Sequence, residues 1–359
     1  MTEHSKPTLA VVGATGAVGS VLLQILSERH DVWGEIRLVG SPRSAGGMRQ
    51  VRGEDLPVRD LVPEVFDGVD VAMFDVPDDV AAHWAPLAAA RGVVVIDGSS
   101  VFRLEPDVPL VVPEINAAQV RNRPRGIVAN PNCTALILVD AVAVLHAGWE
   151  LSELVVATYQ AASGVGHTGP ERLYSEVNEL AHTQGVGTHT GDVRRRLAGA
   201  LPDDSPFPAP LAFNVVPWVG AAGDDGWSGE EVAVRQETRK ILGIPDLKVS
   251  ATCVRVPVAT AHSLAVHATF REPLSVAEAR RALVEAPSVV VLDDPGTGEW
   301  PTPADVVGSD PTFVGRLRQA MDFPNTIELF VCGDNLRKGA ALNAAQIAEL
   351  VCKEFATDR

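Results

Sequence analysis

The chain has 359 residues, 46% of them hydrophobic, and a formal net charge of −16. That length exceeds what one hydrophobic core usually fills, so two domains are expected. The charge argues against a nucleic-acid partner, whose phosphates are bound by clustered lysine and arginine. No apolar stretch reaches the length of a membrane span, and Met1-Thr-Glu-His-Ser-Lys-Pro7 lacks the layout of a signal peptide. Cys133, Cys253, Cys332 and Cys352 form no CxxC and no zinc-like spacing. No metal is expected, and a reducing cytoplasm fits best.

In chain order, the apolar strand Leu9–Val12 runs straight into Gly13-Ala-Thr-Gly-Ala-Val-Gly19 and a helical pattern from Val18 to Leu26. Glycines there permit a tight turn and let backbone N–H groups approach a pyrophosphate at the helix N-terminus. The next strand, Ile36–Val39, ends in Gly40-Ser-Pro-Arg-Ser-Ala-Gly-Gly47, with no acid to receive an adenosine ribose 2′-hydroxyl. Ser41, Arg43 and Ser44 suit a 2′-phosphate instead, which favours NADP over NAD. Strand patterns at Val69–Phe74 and Val93–Ile96, with a helical pattern at Val80–Ala90 between them, complete the signature of a parallel sheet with covering helices.

Cys133 follows Asn130-Pro-Asn132, between the strand Gly126–Ala129 and an apolar helical pattern from Ala135 to about His146. A free cysteine is commonly an inert buried hydrophobe. Proline and asparagine around this one argue for an exposed, tightly turned junction, where unpaired N–H groups and the helix dipole stabilise a thiolate. Cys133 is therefore the candidate nucleophile, and beside a nicotinamide it suggests aldehyde oxidation or acyl reduction through a thioester. Longer strands follow at Leu154–Gln160, Lys248–Val258, Ser263–Phe270 and Thr326–Val331, which predict an α+β region with one covered sheet face. Residues 183–210, rich in Gly, Asp and Pro, read as a long surface excursion, with Arg194-Arg-Arg196 a solvated element rather than a nucleic-acid site. Residues 335–351 return to a helical pattern.

Several ordered segments resemble the aspartate-semialdehyde dehydrogenase family, from Val11 to about Glu349. They are Gly13–Gly19, Arg43-Ser-Ala-Gly46, Pro109-Leu-Val-Val-Pro-Glu114, Asn130–Cys133, Thr158-Tyr-Gln-Ala161, Glu237-Thr-Arg-Lys240, Arg255-Val-Pro-Val258 and Asp334–Asn343. The resemblance implies an α/β chain. Residues 1–131 would form a Rossmann-type NADP-binding domain completed by a C-terminal helix at 335–359, and residues 132–334 an α+β catalytic and dimerisation domain with a mixed sheet.

It further implies NADP-dependent, reversible conversion of aspartyl phosphate to aspartate semialdehyde and phosphate, in lysine, threonine and methionine biosynthesis, by a cytoplasmic homodimer. Cys133 would be the acyl-accepting thiol, Gln160 would position the carbonyl, and His262 would be the acid/base, an imidazole able to titrate near neutral pH. Arg255 would hold the substrate carboxylate, Glu230 its amino group, and Arg103 and Asn132 the phosphate. The cofactor would meet Gly13, Thr15, Gly16, Ala17, Val18, Ser41, Arg43, Ser44, Ser163, Gly164 and Asn335. Without the resemblance, His262 and Glu230 would read as ordinary core and surface residues.

The pattern also departs from the family. Ala233 stands where a phosphate-contacting lysine is usual, with Arg235 and Lys240 as imperfectly directed substitutes. Asp75-Val-Pro-Asp-Asp79 adds acids beside the cofactor, Gly98 replaces an asparagine, and Ala261 and Leu264 flank His262-Ser263 in place of a glycine and a glutamate. Two alternatives follow: a specialised relative acting on another small aldehyde or acyl phosphate, and a non-catalytic NADP-binding protein.

Overall fold

A computed structural model describes residues 6–29 and 32–357. The chain divides into two compact units, one of Met1–Leu136, Glu237–Ile244 and Arg337–Arg359, the other of Ile137–Gln236 and Pro245–Leu336. It is an α/β protein with one largely parallel sheet and one mixed sheet.

In the first unit the strands are β1 (Leu9–Val12), β2 (Ile36–Gly40), β3 (Met48–Val51), β4 (Glu54–Asp60), β5 (Val71–Phe74), β6 (Val94–Asp97) and β7 (Ile127–Ala129). They form one sheet in the order β3-β4-β2-β1-β5-β6-β7, parallel except for the β3–β4 pair. The chain leaves β1 toward β2 on one side and later returns to β5 on the other. The crevice at the carboxyl ends of β1 and β5 is therefore the switch point where such sheets receive ligands. The central strands are buried on both faces, which explains their uninterrupted apolar runs.

Helix Ala17–Glu28 buries Leu22, Leu23, Ile25 and Leu26, worth about 1.5–3 kcal/mol for each large side chain. Gly19 lets it approach the loop, since a Cβ there would lie 2.2 Å from the Gly13 carbonyl oxygen. The β3–β4 hairpin had no signal in the sequence. Its two-residue turn places Arg52 and Gly53 at φ 53° and 79°, the left-handed pair that tight hairpins use.

The C-terminal segment is not one α-helix. Residues Arg337–Leu342 form a π-helical turn before the α-helix Asn343–Thr357. Ala341, Ala345, Ile347 and Val351 join the core beneath the sheet. In the π-turn, the Lys338 ammonium, 1% exposed, pairs with Glu114 at 2.8 Å. Burial opposes ionisation of Glu114, but attraction to Lys338 and hydrogen bonds from Lys338 and Gln346 hold its carboxyl below the usual range.

The second unit's sheet contains β8 (Leu151–Gln160), β9 (Lys248–Arg255), β10 (His262–Phe270), β11 (Val289–Val291), β12 (Thr312–Gln319) and β13 (Thr326–Gly333). Its order is β11-β12-β13-β10-β8-β9, with β8–β9 and β11–β12 parallel and the remaining pairs antiparallel. One face is covered, by Leu154, Val156 and Thr158 among others, while Val155 and Tyr159 are exposed on the other. Strand β9 stops at Arg255, short of Val258, where the backbone turns to bridge Val216 and Pro257 offers no N–H.

Residues 183–210 are more than a surface loop. They contain the helix Asp192–Leu197 and bury Leu197 and Phe207 against Leu173, Leu180 and Leu211. The buried Glu176 carboxylate accepts the Leu211 and Ala212 N–H groups and fastens the segment's end. Arg194, Arg195 and Arg196 are exposed.

Removing the Lys338 cation leaves Glu114, whose side chain is only 14% exposed, without its counter-ion and with the Gln346 hydrogen bond alone among those from side chains. Lys338→Ala should lower the unfolding free energy by about 3–5 kcal/mol, measured by equilibrium denaturant titration. A loss below about 1 kcal/mol, the range of an exposed pair, would contradict this assignment.

Candidate active site

In the first unit the glycine loop and the cysteine junction lie at the carboxyl end of the sheet. Gly13 holds φ 95°, and a Cβ on it would come within 2.0 Å of the Asp75 carbonyl oxygen, so only glycine fits. Gly16 caps helix Ala17–Glu28 from an extended conformation, with no side-chain cap and no acid in the first turn. Thr15, Ala17 and Val18 are partly exposed around this helix start.

After β2, Ser44 Oγ donates to the Ser41 carbonyl at 3.1 Å, while Ser41 and Arg43 are exposed. A glycine cradle leading to an uncapped helix start, followed by a basic serine-rich turn, fits a phosphorylated dinucleotide. Asp78 is engaged by Ser100, whose N–H and Oγ donate to its carboxylate at 2.9 and 2.5 Å. Among the described residues no group of three histidine, cysteine or acidic side chains could hold a metal ion.

Cys133 is the first residue of helix Cys133–Trp149. The expectation of an exposed junction is corrected in part: Asn130, Pro131 and Asn132 are buried, and only Cys133 is half-buried. Asn132 Oδ1 accepts the N–H groups of Thr134 and Ala135 at 2.9 and 3.1 Å, an N-cap that fixes the helix start. Its own N–H donates to Glu237 at 2.7 Å.

Glu237 also pairs with Arg103 at 3.4 Å. The Arg103 Nε and Nη2 groups donate to the carbonyls of Asn130 and Gly98 at 3.0 and 2.6 Å. The other three thiols are pushed up by burial, Cys332 to about 11, Cys352 to about 12 and Cys253 further.

In the second unit Gln160, Glu230, Arg255 and His262 come together. Thr158 Oγ1 donates to Gln160 Oε1 at 3.1 Å, and Gln160 Nε2 donates to Glu230 Oε1 at 2.8 Å, which orients the carboxamide. Glu230 stands in the first turn of helix Gly229–Leu242. Glu231 caps that start by accepting the Ser228 N–H at 2.9 Å, while Ser228 Oγ accepts the Glu231 N–H at 3.4 Å, a capping box. Arg255 donates to the Ala161 carbonyl at 2.6 Å. Gly164 admits the guanidinium: a Cβ there would lie 2.5 Å from Arg255 Nη1 and 3.4 Å from His262 Cε1.

Ser163 Oγ and the Ala261 N–H both donate to Asn335 Oδ1 at 3.0 Å. Ser163, Gly164 and Asn335 thus belong to this cluster, whereas the glycine loop and the Ser41–Ser44 turn belong to the first unit.

His262 differs from expectation. It is fully buried, and desolvation together with the nearby Arg255 cation lowers its pKa well below 6.5. It does not titrate near neutrality. Its Nδ1 accepts the Ala161 N–H at 3.0 Å, so the single ring proton is on Nε2.

The cation missing at Ala233 is not replaced by Lys240. That ammonium donates to the carbonyls of Arg103, Glu105 and Val108 at 2.8, 2.7 and 2.8 Å. Arg235 is exposed on the helix. Glu237 and Lys240 lay in a segment recognised by its resemblance, but nothing in their spacing marked them as supports of the cysteine junction.

Two domain models match in order: semialdehyde dehydrogenase, NAD binding domain over residues 8–123, and semialdehyde dehydrogenase, dimerisation domain over residues 142–338. Aspartate-semialdehyde dehydrogenase of Streptomyces akiyoshiensis is 43% identical over 349 residues, covering 97% of this chain and 99% of the relative. That of Bacillus subtilis is 39% identical over 346 residues, covering 96% and 97%.

The chain belongs to the aspartate-semialdehyde dehydrogenase family. Among solved structures, aspartate semialdehyde dehydrogenase II of Vibrio cholerae complexed with ASA superposes with a TM-score of 0.90 at 34% identity, covering 98% of this chain and all of that one. An aspartate semialdehyde dehydrogenase of Candida albicans, solved with NADP, gives 0.72 at 25% identity over 97% of this chain and 98% of that one. The first unit is thus of a nicotinamide-dinucleotide-binding type, and membership agrees with the resemblance carried by the sequence motifs.

A buried neutral imidazole makes a direct prediction. In the unfolded chain His262 would protonate below about 6.5, and in the folded chain it would not. Its contribution to stability is therefore present above that pH and lost as pH falls below it. Nitrogen-15 NMR should find the ring neutral, with Nε2 protonated, at pH 6. A ring titrating at or above 6.5 would contradict the burial argument.

Proposed function

We propose that the protein interconverts aspartyl phosphate and aspartate semialdehyde with NADP, through a thioester on Cys133. The observation that carries the reading is the position of Cys133 at the head of a capped helix, half-buried, in a chain of this family whose other thiols are suppressed by burial. The helix start favours the thiolate electrostatically.

In the reductive direction the Cys133 thiolate attacks the acyl carbon, a C–S bond forms, and the C–O bond to phosphate breaks. NADPH, when bound to the glycine loop and the Ser41–Ser44 turn, supplies the hydride that reduces the thioester. Collapse of the thiohemiacetal breaks the C–S bond, returning the thiolate and releasing the aldehyde. Arg255 offers a guanidinium to the substrate carboxylate, and Glu230 a carboxylate to its amino group. Gln160, oriented by Thr158 and Glu230, positions the reacting carbonyl.

His262, with its proton on Nε2, enters as a hydrogen-bond donor to the negative oxygen of the thiohemiacetal. To carry a proton between sulfur and solvent it must first release the Ala161 N–H. Arg103 and Asn132 would meet the phosphate, Arg103 with N–H groups beyond those donated to Asn130, Gly98 and Glu237.

The test is NADP reduction assayed with aspartate semialdehyde, with and without inorganic phosphate. Phosphate-dependent turnover is expected. Cys133→Ala should reduce it by at least about a thousandfold while leaving NADP binding in place. Turnover of other aldehydes only, or full activity in the variant, would refute the reading.

We further propose that the protein is a cytoplasmic homodimer. Cys253, Cys332 and Cys352 form no disulfide, and the open sheet face carries exposed Val155 and Tyr159, the latter in ring contact with Phe330. A second copy would cover that face. Light scattering should give twice the chain mass, and Val155→Arg should return monomers. A wild-type monomer at micromolar concentration would rule out the dimer.

A further inference from the structure

The switch-point crevice of the first sheet holds an acid that the dinucleotide reading does not use. Asp75 follows β5, directly across from the glycine loop that follows β1. Its main chain is locked there: its N–H donates to the Val12 carbonyl at 2.9 Å, and its carbonyl oxygen occupies the space that a Cβ on Gly13 would need. Its carboxyl lies beside the start of helix Ala17–Glu28, where a Cβ on Gly16 would be 3.5 Å from its Oδ2. No side chain caps that helix at Gly16, and its first turn contains no acid. The Asp75 carboxylate thus stands beside the helix N-terminus that would receive a phosphate.

We propose that Asp75 is a determinant of cofactor binding that couples entry of the dinucleotide to uptake of a proton. The proposal rests on the reading that this unit binds NADP. A pyrophosphate arriving at the helix start meets a carboxylate of its own sign, and protonation of that carboxylate removes the repulsion.

The surroundings already favour the acid form. Burial, then the charge of Asp97, raise Asp75 to about 6, against the opposing effects of the Gly19 N–H and the Arg103 cation. Asp97, the register partner of Phe74 at the end of β6, is itself raised to about 6 by burial, with Asp78 adding to the rise, although Ser99 donates to its Oδ2 at 2.6 Å. Its Oδ1 is buried without a hydrogen-bond partner. The Asp97 charge opposes ionisation of Asp75, so the proton that relieves the crevice goes to this pair of carboxyls.

The sign follows from linkage. Phosphate anions raise the pair's pKa further, so the complex holds more protons than the free protein, and affinity rises as pH falls from 8 toward 6.

The experiment is isothermal titration of NADPH into the wild-type protein, Asp75→Asn and Asp75→Ser, in buffers of different ionisation enthalpy. Circular dichroism verifies that each protein is folded. Both variants are made so that one folded replacement is available. The variants also report the titration of the 2′-phosphate itself, which is subtracted. The wild type should take up protons at pH 7 beyond those of the variants, and bind about five- to twentyfold more tightly at pH 6 than at pH 8 after that subtraction. At pH 8 the variants should bind more tightly than the wild type. Equal proton uptake in wild type and a folded variant overturns the coupling while leaving the cofactor reading intact. Absence of NADPH binding by all three proteins at every pH overturns the cofactor reading and the coupling with it.

Discussion

The cysteine junction depends on one buried carboxylate. Glu237, 2% exposed, accepts the Asn132 N–H and pairs with Arg103. That bond orients the backbone just before the helix, so that the Asn132 side chain can cap Thr134 and Ala135 and Cys133 falls at the first helical position. Arg103 spreads the constraint by donating to carbonyls beyond the ends of β6 and β7. Such a pair contributes little net stability, because burying both charges costs about as much as their attraction returns. Its value is in specifying a unique geometry at a place where the sequence, Asn-Pro-Asn-Cys, could otherwise adopt several turns.

The second cluster is organised differently, by a relay of neutral and charged hydrogen bonds. Thr158, Gln160 and Glu230 form one line, and Ser163, Asn335 and Ala261 form another. Ala261 holds φ 77° and is fully buried. A side chain in that left-handed region costs about 1–2 kcal/mol relative to the usual backbone. The Asn335 carboxamide that receives its N–H holds the backbone there, immediately before His262. The strain is thus located where the direction of one imidazole matters.

Much of this was legible in the sequence because it arises from local constraints. Parallel strands buried on both faces read as apolar runs, the glycine loop as a strand-to-helix turn, and Cys133 as a helix entry. The β3–β4 hairpin was not legible, since its exposed polar strands and Pro57 obscure the alternation that marks a strand. The capacity of residues 183–210 to bury Leu197 and Phe207 was hidden by their Gly, Asp and Pro content. The roles of Glu237, Lys240 and Asp97 depend on partners more than 80 residues away or on burial, neither of which composition reveals. The protonation of His262 escaped for the same reason: residue type sets the starting pKa, but burial and the nearby Arg255 cation shift it.

Lys240 has a chemical consequence beyond its place in the fold. Small aldehydes condense with unprotonated amines to form imines, a hazard for any catalyst that releases one. Desolvation lowers the pKa of Lys240, which would make it the more reactive amine, yet each of its N–H bonds is committed to a main-chain carbonyl. Lys338 is enclosed with Glu114. Of the chain's five lysines only Lys6, Lys248 and Lys353 face solvent, and most of its positive charge is carried by arginine, whose guanidinium remains protonated at any physiological pH. A protein built this way presents few amines to its own reactive product.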